Sequence, residues 1–205
     1  MKPGTPSTAY VWFDTEYSGL DLDKAVLLQV AMIITDADLN RLAPAESDVN
    51  LFVKLPPRRK VSPWISENMP GLEDQCRSAA AVPVREADRR LCAAVDRAVA
   101  VPAGEEKRKP VLAGNSIHCD WYLARRFLPH FIRRLHYRHL DVTALKLQWR
   151  DWFKGGEFDK ARTGLTAKFF AGPAGSVRGR QHDAYYDVQA SIAELNYYRK
   201  QLRKV

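Results

Sequence analysis

No stretch of this 205-residue chain approaches the length of apolar residues needed to span a bilayer, so a membrane-spanning role is not expected. Cysteine is scarce. Cys76, Cys92 and Cys119 are an odd number without Cys-x-x-Cys spacing, which reads as reduced, partly buried thiols in an intracellular protein. The nine residues before the first expected strand lack the charged-then-apolar pattern of a secretory leader and are too few for a usual transit peptide. The expected location is therefore cytoplasmic, with a mitochondrial one as the alternative. No dinucleotide-binding glycine fingerprint follows Phe13, which leaves nicotinamide chemistry without support. No internal repeat or composition break appears, so a single domain over residues 1–205 is expected.

What is present is the composition of a folded protein, 46% hydrophobic and 10% aromatic. Lys and Arg number 32 against 24 Asp and Glu, a net charge of +8. An excess of that size suits a polyanionic partner such as nucleic acid, though many proteins carry it without one.

The informative stretch is Tyr10 to Asp21, YVWFDTEYSGLD. Its apolar run, Tyr10 to Phe13, reads as a buried strand that ends in Asp14 and Glu16. Side chains two apart in a strand share a side, so both carboxylates should project together from its end. Two acids so placed repel unless a cation lies between them or one holds a proton. Val26–Thr35 and Asn50–Leu55 read as further strands, and three in succession suggest an antiparallel meander.

Residues 54–82 read as a Pro-rich basic loop with at most a helical turn near Ile65–Met69, because Pro56, Pro57, Pro63 and Pro70 oppose a continuous helix. Apolar residues at helical spacing predict a helix over Pro83–Val99. A short strand, Val111–Gly114, is followed by a helix over Asp120–Leu128 with a break at Pro129. Leu140–Val142 reads as a strand and Thr143–Phe153 as a helix, an alternation that implies parallel pairing. Residues 154–180 form a Gly-rich basic loop, read as a flap over substrate or as a surface insertion, with a short helix around Leu165–Phe170. A terminal helix runs from His182 to about Leu202.

Two further acids stand at helix starts, Asp120 and Asp187, and His182 lies five residues before the second. Oxygen ligands of this kind suit Mg²⁺ or Mn²⁺. Two such ions about 3.5–4 Å apart activate water and stabilise a leaving oxygen in phosphodiester hydrolysis. A histidine, which titrates near neutrality, can take the proton from that water.

The order Asp14-x-Glu16, Asp120, His182-x-x-x-x-Asp187 resembles the DEDDh class of 3′-to-5′ exonucleases. Within that class the chain resembles the oligoribonuclease family. WFDTEYSGLD, GNSIHCDWYLARRFLP, LHYRHLDVTALKLQW and HDAYYDVQASIAELNYYRKQL are similar to that family's blocks and stand in its order. The resemblance implies a ribonuclease H-like α/β fold, a mixed five-stranded sheet flanked by helices. It implies two divalent ions held by Asp14, Glu16, Asp120 and Asp187, with His182 as general base. It further implies that Leu20, beside Gly19, wedges between the bases of a dinucleotide. Ser116, His136 and Tyr137 would cap the 5′ phosphate, the last two reaching across from the second subunit of a homodimer. The expected activity is hydrolysis of short RNA, dinucleotides above all, to nucleoside 5′-monophosphates. The alternatives are a related exonuclease on longer RNA or DNA 3′ ends, and a non-catalytic nucleic-acid-binding relative. The family's His-Gln-Pro element is missing, and Trp64 stands near its place, open to a base-stacking or a core role.

Overall fold

The computed structural model describes residues 8–153, 156–170 and 176–202. Three antiparallel strands come first: β1 (Tyr10–Tyr17), β2 (Leu27–Thr35) and β3 (Val49–Phe52). Then β4 (Val111–Gly114) pairs with β1 in parallel, and β5 (His139–Asp141) pairs in parallel with β4. The five-stranded sheet has the order β3-β2-β1-β4-β5, so β1 is central and bonded on both edges. The meander and the parallel half agree with the sequence pattern, and the whole is the mixed five-stranded sheet flanked by helices that the resemblance implies.

Helices cover both faces, because the central strands are apolar on both sides. On one side α3 (Val84–Ala98), α4 (Ile117–Phe127) and α5 (Pro129–Ile132) pack on Val11, Phe13, Val30 and Met32. On the other, α6 (Val142–Asp151), α7 (Leu165–Phe169) and α8 (Ala184–Leu202) pack on Trp12, Ala31 and Ile33. β2 is buried along its whole length.

Several expectations need correction. β1 carries Asp14 and Glu16, as expected, and runs one residue past them to Tyr17, because the β2 ladder runs beside it that far. The acids therefore lie within a paired strand, which fixes their spacing better than a loop would. The 54–82 segment is no simple loop. It holds α1 (Pro63–Asn68) and α2 (Leu72–Arg77), which bury Ile65, Met69, Leu72 and Cys76 against Leu28 and Leu55. The prolines stand where a helix tolerates or needs them. Pro63 occupies the first turn of α1 after the Ser62 cap, and Pro70 falls between the two helices. α4 begins at Ile117, so Asp120 lies one turn inside it. The expected break at Pro129 is present, and Pro129 itself opens α5. Of the 154–180 loop, the short helix is present as α7, while Lys154, Gly155 and residues 171–175 lie outside the described residues.

Gly114 closes β4 under the site. A β-carbon there would meet the Phe13 carbonyl oxygen at 2.9 Å and Ile117 Cδ1 at 3.0 Å. Backbone cannot yield as a flexible side chain does, so Gly114→Ala is expected to destabilise the fold by about 1–3 kcal/mol. Urea unfolding of the variant measures this, and an unchanged midpoint would remove the steric account.

Candidate active site

The alternation of β1 assigns its acids to a layer. Asp14 and Glu16 continue the face of Trp12, the one covered by α8. The first turn of α8 carries Asp187 to the same point. Ligand oxygens of Asp14, Glu16 and Asp187 lie within 4.8 Å of one another. Asp120 arrives from the opposite face. Its Oδ1 accepts hydrogen bonds from the Thr15 backbone N–H at 2.8 Å and the Thr15 hydroxyl at 2.7 Å. Thus β1 presents three positions in a row, with Asp14 and Glu16 to one layer and Thr15 holding Asp120 from the other.

The four acids line one cleft of about 250 Å³ together with Gly19, Leu20, Trp64, Ser116 and His182. Leu20 is 86% exposed on its lip. Ser62 N–H donates to the Ser18 carbonyl at 2.8 Å, which ties α1 to the turn after β1 and leaves Trp64 over the cleft. Trp64 meets the His182 ring edge-on, with centroids 5.5 Å apart. The sequence leaves Trp64 between stacking and core roles; it is 47% exposed, so it is not a core residue. His182 has φ +63°, a left-handed conformation rare for a residue with a side chain. Ser116 has φ +48° at the start of α4, and its N–H donates to Asp141 Oδ1 (3.1 Å) and Thr143 Oγ1 (2.8 Å). Those two bonds offset the cost of the strained backbone.

Within one chain, His136 and Tyr137 do not join this cleft. They line a separate hollow of about 450 Å³ with Trp121, Arg125 and His139. That hollow is larger but holds no carboxylate cluster, so the chemistry is assigned to the smaller one. Tyr137 is 79% exposed and stacks on His136.

One residue in the cluster has no sequence signal. Lys160 places Nζ 2.8 Å from Asp187 Oδ1. Its surroundings hold the chain there: Phe158 is buried against Phe169 and Tyr197, and the Tyr186 hydroxyl donates to the Lys160 carbonyl at 2.7 Å. No motif places a lysine at this point of a Gly-rich segment, and only the fold brings it to α8.

The electrostatics follow from burial and crowding. Burial, then the charges of Asp120, Glu16 and Asp187, hold the Asp14 carboxyl well above the usual carboxylate range. Burial and then Asp187 and Asp120 push Glu16 to about 8. Burial raises Asp120 to about 7 despite the opposing Thr15 hydrogen bonds. Burial works against the Lys160 ammonium, but the pull of Asp187, Asp14 and Glu16 outweighs it and raises the group. Carboxylates so crowded suit a divalent cation, which removes the repulsion and takes oxygen donors of this type.

A family model described as an exonuclease, RNase_T, matches residues 11–195. The chain belongs to this exonuclease family, and within it to the oligoribonucleases. It is 31% identical to a probable oligoribonuclease of Schizosaccharomyces pombe, over 97% of this chain and 70% of that one. It is 32% identical to the oligoribonuclease of Nocardia farcinica, over 93% and 79%. Among solved structures, exonuclease I of Methylocaldum szegediense has the same fold, with a TM-score of 0.67 at 22% identity. The alignment covers 96% of this chain but 41% of that longer one. No described helix is long and apolar enough to cross a membrane.

The raised carboxyls give a pH dependence. Glu16 titrates at about 8 in the fold against an ordinary 4.5, so between those values the folded chain holds a proton that the unfolded chain has released. With chelator present, stability should therefore fall as pH rises from 4.5 to about 8. A divalent cation bound by the cluster would favour the ionised acids, so added Mn²⁺ should flatten that slope if the cluster holds it. Urea unfolding at four pH values, with and without Mn²⁺, tests this; stability rising with pH under chelator would contradict it.

Proposed function

We propose that this chain is a 3′-to-5′ exoribonuclease that releases nucleoside 5′-monophosphates from very short RNA, dinucleotides above all. The observation that carries the reading is the convergence of Asp14, Glu16 and Asp187 within 4.8 Å, with Asp120 lining the same cleft, in an oligoribonuclease-family chain. Asp14, Glu16, Asp120 and Asp187 are the residues that would hold two divalent cations, Mg²⁺ or Mn²⁺. Bound there, such ions would lower the pKa of water and neutralise charge on the phosphate.

The chain's own groups do the rest. His182, on the cleft lip, accepts a proton on a ring nitrogen from the attacking water. The water oxygen bonds to phosphorus, and the bond from phosphorus to the 3′ oxygen of the preceding nucleotide breaks. That oxygen leaves as a 3′ hydroxyl after gaining a proton, and the released unit keeps the phosphate at its 5′ position. Exposed Leu20 and Trp64 offer apolar faces to the bases. Ser116, braced by Asp141 and Thr143, is assigned to the substrate's 5′ phosphate.

A homodimer belongs to the same reading. His136 and Tyr137 lie outside the cleft of their own chain, and exposed Tyr137 is available to a second subunit. In that assembly they would cap the 5′ phosphate and limit substrate length. Three free cysteines fit a reducing compartment, cytoplasmic or mitochondrial.

A 5′-labelled RNA ladder of about two to ten nucleotides, with Mg²⁺ or Mn²⁺ and with chelator, tests the reaction. The dinucleotide should disappear fastest and only with the ion; faster loss of long strands would refute the length limit. His182→Ala should lower turnover about 10²–10⁴-fold, the worth of a general base. Asp14→Ala or Asp187→Ala protein with near wild-type turnover would refute the metal reading.

A further inference from the structure

Lys160 is the one cation among the described residues placed in the carboxylate cluster, and the activity just proposed assigns it no role. Its position is built. The backbone is pinned by the bond from the Tyr186 hydroxyl, which also lies 3.1 Å from the Thr166 hydroxyl, and Phe158 anchors the chain two residues earlier. Only the side chain remains free to move, and it is 36% exposed, so a path to solvent exists.

We infer that Lys160 is a resident counter-ion that gathers Asp14, Glu16 and Asp187 before a divalent cation arrives and leaves Asp187 when one binds, so that it sets the metal affinity of the site. The inference rests on the metal reading given above. Its physical basis is charge. An ammonium 2.8 Å from Asp187 Oδ1 satisfies that acid and weakens the repulsion across the cluster. A divalent ion on the same carboxylate would put two positive centres within a few ångströms, so the two cations compete. Lysine suits the role better than arginine. Its charge is compact, its stem flexible, and it lacks a planar fork that would grip the carboxylate with two parallel bonds.

The test is calorimetric titration of chelator-treated protein with Mn²⁺, paired with thermal melting with and without the ion. Lys160→Met should bind Mn²⁺ about tenfold more tightly than wild type, because the competing charge is gone. Its melting temperature under chelator should be lower than wild type, and its rise on adding Mn²⁺ larger. Lys160→Arg should restore a wild-type or weaker affinity. Lys160→Gln, with a polar head but no charge, should follow Lys160→Met and serves if the methionine variant does not fold. Mn²⁺ affinity that is equal or weaker in both uncharged variants, or an arginine variant that behaves like them, would overturn the role of Lys160. A wild-type chain that binds no Mn²⁺ would overturn it together with the metal reading, so the two failures are distinct.

Discussion

Like charges held close together on a buried strand are the constraint around which this molecule is arranged. β1 carries Asp14 and Glu16 on one face, and α8 adds Asp187 to them. Burial, and then the neighbouring carboxylate charges, raise the proton affinity of Asp14 and Glu16. An isolated hairpin could not hold such a cluster. Here β1 is central in the sheet, bonded to β2 along its length and to β4 on the other edge. The apolar residues Trp12 and Phe13, both fully buried, anchor the strand just before the acids begin. The surplus stability of the core offsets the repulsion at its end.

The two layers of helices enter the site by different routes. α8 brings its acid over the same face as Asp14 and Glu16. α4 brings Asp120 from the other side, and Thr15 receives it with two hydrogen bonds. A single residue step along β1 thus switches from one layer to the other. The site belongs to neither layer, and both must be seated on the sheet before it exists.

Much of this was legible from the amino-acid order. Tyr10–Phe13 followed by Asp14 and Glu16 marks the strand, and the i, i+2 rule gives their shared face. The position of Asp187 beside the buried Val188 marks it as a core-edge acid. Other features were not legible, for identifiable reasons. The exact end of β1 at Tyr17 depends on a partner, because the ladder with β2 and not local hydrophobicity carries the strand past Glu16. The helices of residues 63–77 were hidden by prolines that break a continuous helix but suit the start of one and the gap between two. Thr15 as the holder of Asp120, and Lys160 beside Asp187, are long-range pairings without any spacing rule. Trp64 is placed over the cleft by the Ser62–Ser18 backbone bond, which no pattern in a single chain announces.

The exposed walls of the cleft have a different character from its floor. The floor is the end of β1, paired with β2 on one edge and tied through the Thr15 N–H to Asp120 on the other. The walls are α1 with Trp64, the turn bearing Leu20, and the approach to α8 bearing His182, all short peripheral pieces. Amides of the floor are then open to solvent exchange mainly when the whole domain unfolds, whereas those of the walls need only a local opening. Such a division lets the carboxylate cluster stay in register while the side chains at the lip of the cleft change. Substitutions would accordingly be cheap in stability at the walls and costly on β1.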